Sequence, residues 1–259
     1  MTIKEEYIYE KKDSEGATVE GYAELTPEMY YEVLVKREVN QLERYFITME
    51  TELYKKSQDD KYYYDFLVEK NGEEISHRVA YIDKIDEIYD YQVNYPHMLR
   101  YSFLISVYSF AEERLLNACR RTAKLLGVRE LDKYVEEESI REGGVFLAHK
   151  YLKEFANINL SKCATSWTVL CVFNRLRNCI VHQRGNVEPL FYGKTYHNRE
   201  RKRQLEKAIY RLGSDIVVIE KGHIKLTHIA CSEFLKAVDV LLAYLYDNLH
   251  KRLNENLNG

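Results

Sequence analysis

Arg175, Arg177, Asn178 and His182 crowd into one short stretch, RLRNCIVHQRGN, spanning residues 175–186. A guanidinium holds a phosphate through paired hydrogen bonds, an amide orients a substrate, and an imidazole moves protons near neutral pH. Such a set suits phosphoryl chemistry, where charge on the equatorial oxygens must be neutralised while protons move at the attacking and leaving oxygens. The same residue types also suit the polar end of an ordinary helix. Placement decides between the two.

The surrounding pattern predicts a helix that begins near Ala164 and is ended by Gly185. Val169, Val172, Phe173, Leu176 and Ile180 repeat at spacings of three and four and form its core stripe. Cys171, Asn174, Arg175, Asn178 and His182 lie on the opposite stripe. Asn178 and His182 are neighbours at i and i+4, whereas Arg177 sits about 100° round from Asn178 and must reach back to join it. Arg175 shares their face more directly. His182 falls in the last turn, where the helix dipole favours an imidazolium.

Other elements must hold this helix in place. Thr26 and Pro27 predict the N-cap and first residue of a long helix whose stripe is Tyr31, Leu34, Val35, Val39, Leu42, Phe46, Met49 and Leu53. Pro96 predicts the opening of a second, with Leu99, Phe103, Val107, Phe110, Ala111, Leu115 and Ala118 inward and Gly127 at its C-cap. A shorter helix is expected in VFLAHKYLKEFA, and Cys231, Phe234, Leu235, Val238, Leu241, Leu242 and Leu245 mark a final one. DIVVIEKGHIKLTHI, with Glu220-Lys221-Gly222 between two apolar runs, reads as a β-hairpin. Residues 1–24 suggest a small hairpin or a frayed arm, and KKSQDDKYYYDFLVEKNGEE a loop or short helix.

With three prolines and eleven glycines in 259 residues, and charges spaced as in helices, the expected fold class is mainly α. Residues 1–75 are expected to form an N-terminal extension with one long helix, within or beside the same bundle, and residues 76–259 the main helical domain. MTIKEEYIYEKK carries charge where a signal peptide needs an apolar run, which predicts a cytoplasmic protein without a membrane partner. Cys119, Cys163, Cys171, Cys179 and Cys231 form no CxxC pair, so reduced thiols are expected rather than a disulfide framework or a zinc knuckle. His77, His97, His149, His197, His223, His228 and His250 are scattered without partners at metal-ligand spacing, and phosphate-loop, dinucleotide and serine-elbow signatures are missing. No metal or other cofactor is expected.

RNCIVH, residues 177–182, resembles the signature of the HEPN superfamily: an arginine, a polar residue that is often asparagine, then about three residues and a histidine, on a helix of an all-α bundle. SFAEERLLNAC resembles the glutamate-bearing helix that precedes this motif in many members, GGVFLAHKYLKEF their glycine-opened helix, and SWTVLCVFNRLRNCIVHQRG their approach to the motif. The likeness covers residues 96–186 best, extends to the final helix, and says little about residues 1–70. It implies a HEPN-like bundle of long antiparallel helices, with the small hairpin before the C-terminal helix.

The resemblance also implies a metal-independent ribonuclease site composed by two motif helices across a homodimer, cleaving RNA by attack of the ribose 2′-hydroxyl. Carried over, Arg177 would neutralise the scissile phosphate, Asn178 would hold substrate or orient its neighbours, and His182 would move protons. Glu112 matches the family's helix glutamate and would support the cluster, or simply pair within the bundle. Arg175 also fits the family's looser arginine-to-histidine spacing, so the phosphate ligand is Arg175 or Arg177. Members paired with a nucleotidyltransferase antitoxin carry a tyrosine two residues beyond the histidine. Arg184 stands there, which argues against that partner while leaving other regulatory or antitoxin proteins open.

The charge pattern points the same way. The chain carries a net charge of −3, yet Arg175, Arg177, Arg184, Lys194, Arg199, Arg201, Lys202, Arg203, Lys207 and Arg211 face only Glu188, Glu200 and Glu206 between residues 175 and 211. Such an island suits an RNA backbone, with Arg184, Lys194, Arg199, Arg201, Lys202 and Arg203 as the expected contacts, and equally suits a solvated helix. Three functions are consistent with these features: a HEPN endoribonuclease acting in phage defence or as a regulated toxin, a noncatalytic HEPN module binding RNA or a partner protein, and a plain helical adaptor.

Overall fold

The computed structural model describes residues 6–12, 18–70, 73–137, 144–187, 196–213 and 215–258, and these are mainly helical. The helices are α1 (Pro27–Tyr30), α2 (Lys36–Ser57), α3 (Ile85–Tyr89), α4 (Tyr95–Leu126), α5 (Leu131–Glu137), α6 (Gly144–Phe155), α7 (Ala164–Gln183), α8 (Tyr196–Leu212) and α9 (His228–Asn258). Strands β1 (Glu6–Lys12) and β2 (Thr18–Glu24), β3 (Tyr63–Lys70) and β4 (Glu73–Ala80), and β5 (Val217–Glu220) and β6 (His223–Leu226) pair as three antiparallel hairpins. Among the described residues, no helix is long and apolar enough to cross a membrane.

The chain divides into two discontinuous units, Met1–Asn40, Ser109–Thr168 and Lys236–Gly259 in the first, Gln41–Tyr108 and Val169–Leu235 in the second. In the first, the Thr26 hydroxyl accepts from the Met29 N–H at 3.3 Å and caps α1, with Pro27 at the first helical position, where its missing N–H costs nothing. A π turn over Tyr31–Val35 joins α1 to α2, and the Tyr31 hydroxyl donates to Asp239 at 2.7 Å. Tyr30 packs 5.5 Å from Tyr246, and Tyr134, Tyr151 and Phe155 form a mutually tilted aromatic cluster. Gly127 takes φ +63° after α4, the left-handed conformation expected of a C-cap glycine.

The second unit is built on two ring stacks, Phe46 on Phe103 at 4.4 Å and Phe173 on Phe234 at 4.3 Å. Both pairs come from the stripes read in the sequence. Arg100 fastens the unit by a two-pronged bond to Glu50 (2.7 and 2.8 Å) and a further one to the Leu226 carbonyl at 3.2 Å. Three of the five cysteines, Cys119, Cys179 and Cys231, are buried, and all five are free thiols.

Two local expectations fail. Pro96 does not open a helix: helical backbone already runs from Ile85, through a π turn over Asp90–Asn94, into α4. Proline inside an α-helix lacks a hydrogen bond and crowds the carbonyl four residues back, and the wider π turn just upstream provides the local relaxation. The second failure is KKSQDDKYYYDFLVEKNGEE, which holds strand β3 rather than a loop or short helix; β3 pairs with β4 from Tyr63–Ala80 to Lys70–Glu73. The N-terminal segment resolves into the hairpin alternative, Glu6 opposite Glu24 to Lys12 opposite Thr18.

Candidate functional site

Helix α7 spans Ala164–Gln183, and Val172, Phe173, Leu176 and Ile180 are buried as the periodicity requires, with Val169 half-buried. Leu170 and Cys179 are buried as well, so the apolar arc is wider than the five-residue stripe. The helix stops because Arg184 and Gly185 take φ +53° and +76°. The Gly185 N–H reaches back to the Cys179 carbonyl at 3.2 Å, and the Asn186 N–H to the Gln183 carbonyl at 2.9 Å.

The chain then joins the β5–β6 hairpin. The Ile224 N–H donates to the Gly185 carbonyl at 2.9 Å, the Val187 N–H to the Gly222 carbonyl at 2.8 Å, and Asn186 forms a bridge with His223. Tyr101 of α4 donates its hydroxyl to the Ile224 carbonyl. At Gly185 a Cβ would overlap that hydroxyl, so glycine is required there by space as well as by φ. The hairpin turn is Lys221-Gly222 with both φ values positive (+47° and +77°), the geometry that matches strand twist in a two-residue loop.

Against this fixed end lies a cavity of about 480 Å³ lined by Arg175, Asn178, Cys179, His182 and Gln183 of α7 and by Gln204 and Leu205 of α8. Asn178 and His182 are exposed, and Arg175 is half-buried. Among the described residues neither Arg175 nor His182 has an ion-pair or hydrogen-bond partner, so both face the cavity uncommitted. Burial pushes the Cys179 thiol up to about 11, which keeps it protonated at neutral pH and makes it a wall rather than a nucleophile.

Arg177 is placed differently. It does not line this cavity. Its guanidinium lies 5.6 Å from the centre of the Tyr108 ring and donates to the Asn178 side-chain oxygen at 3.0 Å, while the Asn178 amide donates to Asn174 at 3.4 Å. Among the described residues, the Arg177 Nε is buried without a partner. Arg177 is thus joined to Asn178 from the side of the helix away from the cavity.

Glu112 belongs to the first unit and is half-buried, its carboxylate packed where a Cβ on Gly144 would stand. Gly144 opens α6 at φ +62°. Of the expected RNA contacts, Arg184 is exposed and Arg203 is exposed beside Glu200 at 3.0 Å. Lys194, and the side chains of Arg199, Arg201 and Lys202 on α8, lie outside the described residues. Among the described residues, no group of three or more histidines, cysteines or carboxylates is placed to hold a metal ion.

No family model, curated protein or solved structure matches this chain. The chemistry of the cavity therefore has to be read from its own residues. Sequence patterns did not point to Tyr108 or Gln204 as parts of the site, since each reaches it through tertiary packing, and Gln183, next to His182 on the motif helix, was not singled out. A weak signal existed for Gln204, which sits within the basic stretch of α8.

Proposed function

We propose that this protein is a metal-independent endoribonuclease of the HEPN type, acting in phage defence or as a regulated toxin, whose site is completed by a second copy of the motif helix. The observation that carries this reading is the division of the motif: Arg175, Asn178 and His182 line one cavity, while Arg177 stands outside it, bonded to Asn178. Five residues of helix place Arg177 about 140° round from His182, so one chain cannot readily bring both to one phosphate. Two motif helices facing each other across a two-fold axis can, with Arg177 of one protomer meeting His182 of the other.

In this mechanism the ribose 2′-hydroxyl attacks the adjacent phosphorus, the bond to the 5′-oxygen breaks, and the products are a 2′,3′-cyclic phosphate and a 5′-hydroxyl. Arg177 neutralises the equatorial oxygens, its direction set by Tyr108 and Asn178. One His182 takes the proton of the 2′-hydroxyl and the other supplies a proton to the leaving oxygen. Arg175, inside the cavity, holds a neighbouring phosphate, and Arg184 and Arg203 extend the cationic surface along the RNA. On this reading the protein acts in the cytoplasm, under the control of a regulatory partner.

The test incubates the purified chain with RNA and with a 2′-deoxy analogue and identifies the product ends. Cleavage of RNA alone with cyclic phosphate ends, lost in His182→Ala, is expected; cleavage of both polymers rules the mechanism out. Mixing equal amounts of wild-type and His182→Ala protomers tests the shared site: because both imidazoles are needed, mixed dimers are inactive and only about a quarter of the dimers, the wild-type pairs, keep cleaving. The second reading is a noncatalytic module, favoured by the open α8 wall and the solvent-facing Arg184; tight RNA binding with no cleavage under any condition would select it.

A further inference from the structure

The β3–β4 hairpin is rooted at one end only. Tyr62, just before β3, is fully buried and donates its hydroxyl to Glu87 at 2.7 Å, while the Tyr63 hydroxyl donates to the Ser57 carbonyl at 2.9 Å. Arg78 lies over the Tyr63 ring at 4.5 Å and pairs with Asp60 at 2.6 Å. Beyond this root, every residue from Tyr64 to Lys70 and from Glu73 to Val79 is exposed.

The two faces of the ribbon differ in kind. The cross-strand pairs Tyr64–Val79, Phe66–His77 and Val68–Ile75 put five apolar side chains and one histidine on one face, and the Tyr81 ring, 5.1 Å from Tyr64, extends it. Asp65–Arg78, Leu67–Ser76 and Glu69–Glu74 make the opposite face polar, with Leu67 its one large apolar residue beyond Tyr63 at the root. This is the alternation of a sheet with one side buried, yet Phe66 is 54% and Tyr64 41% exposed. A two-stranded ribbon alone is marginal in water and is stabilised by a further strand or a packed layer. Among the described residues neither edge of β3–β4 carries another strand.

We propose that the apolar face of β3–β4 packs against the same face of a second copy of this chain across a two-fold axis. At about 150–200 Å² for the full surface of each side chain, the exposed fractions of Tyr64, Phe66, Val68, Ile75, Val79 and Tyr81 leave roughly 450 Å². Two copies bring together roughly 900 Å². That apolar area alone approaches the roughly 1,000 Å² a specific contact needs, before any polar rim is added. Charge selects the partner. The tip residues Lys70 and Glu73 face each other with opposite signs, and the centre carries no fixed charge, so nothing there recruits a nucleic acid or an oppositely charged protein. A face that is apolar in the middle and balanced at its rim is complementary to itself. This contact does not depend on the nuclease reading, since it shares no residue with the motif.

Adjacent positions on opposite faces supply the test. Phe66→Asp places charge in the apolar face and Leu67→Asp places it on the polar one, and both sites are exposed, so the fold tolerates each. Sedimentation equilibrium of the full chain should show the β3–β4 association step, separate from any pairing of motif helices, weakened at least about a hundredfold by Phe66→Asp, because the two-fold contact loses the ring twice, and little changed by Leu67→Asp. Circular dichroism should be the same for both, and Val68→Lys serves as the second apolar-face variant if Phe66→Asp misfolds. A wild-type chain that stays monomeric to about 50 μM, or equal association constants for the two aspartate variants, overturns the proposal. So does a monomeric chain whose face is taken by a different protein.

Discussion

The β5–β6 and β3–β4 hairpins are both two-stranded and antiparallel, yet the shorter is the one the protein holds firmly. Val217, Ile224 and Leu226 of β5–β6 are 2%, 0% and 3% exposed, and the backbone after α7 is bonded onto β6. The longer β3–β4, eight residues per strand, is anchored only at its root and exposes most of its length. Length and intrinsic strand propensity therefore do not decide how much a hairpin contributes to its own unit. What matters is whether the apolar face meets a surface already in place. β5–β6 meets α4, through Tyr101 and Arg100, and the end of the motif helix, and in doing so sets where His182 stands.

The largest effect expected from this contrast is on catalysis. On the nuclease reading proposed above, His182→Ala should reduce RNA cleavage by about two to four powers of ten, and because His182 is exposed on the cavity wall at the end held by β5–β6, the thermal midpoint should stay within about a degree of wild type. A fall in both would show that the imidazole supports the fold.

Stability should separate the two hairpins next. Ile224→Ala removes a fully buried side chain and should cost about 2–4 kcal/mol in urea unfolding, whereas Leu67→Ala on the exposed polar face of β3–β4 should stay within about 0.5 kcal/mol. Equal losses would erase the distinction drawn between the hairpins.

Gly185→Ala sharpens the comparison at the junction itself. A side chain at φ +76° costs about 1–2 kcal/mol, and its overlap with the Tyr101 hydroxyl adds to that. Removing the hydroxyl with Tyr101→Phe should recover about 1 kcal/mol of the loss, a coupling that a double-mutant cycle measures directly. Strict additivity would show that the two groups do not compete for that space.

The smallest effect expected is in pH dependence. Burial first, then the charges of Lys225, Arg100 and His223, lowers the His97 imidazole from its ordinary 6.5 to about 4. Between those values the unfolded chain binds a proton that the folded chain refuses. The stability His97 leaves intact above pH about 6.5 therefore declines as pH falls and is lost by about 4, a change of about 1 kcal/mol once solvent screening of the half-buried ring is allowed for. Urea unfolding at pH 7 and pH 5 should show the decline in wild type and a flatter profile in His97→Gln.

Much of the frame was legible because it rests on local rules. Thr26 and Pro27 announce a helix start, Gly127 and Gly185 helix ends, Lys221-Gly222 a tight turn, and the three-and-four spacing of Val172, Phe173, Leu176 and Ile180 a buried face. The misread segment was β3, where three consecutive tyrosines obscured the alternation of Tyr64, Phe66 and Val68, and where Asn71-Gly72 was the neglected hairpin signal. Pro96 misled for a different reason. A proline opens a helix only when nothing upstream can absorb its missing bond, and a π turn does so here.

The amino-acid order by itself determined which residues share the polar face of α7, because helical geometry allows only one answer once the helix is granted. Asn178 stands beside His182, and Arg177 points elsewhere. Only the tertiary structure decided what each of them faces: Tyr108 under the Arg177 guanidinium, Gln204 and Leu205 across the cavity from His182, and a hairpin some forty residues downstream fastening the helix end. Those contacts join residues far apart in the chain, and they arise from burying apolar faces against one another. No periodicity within a single helix can specify them.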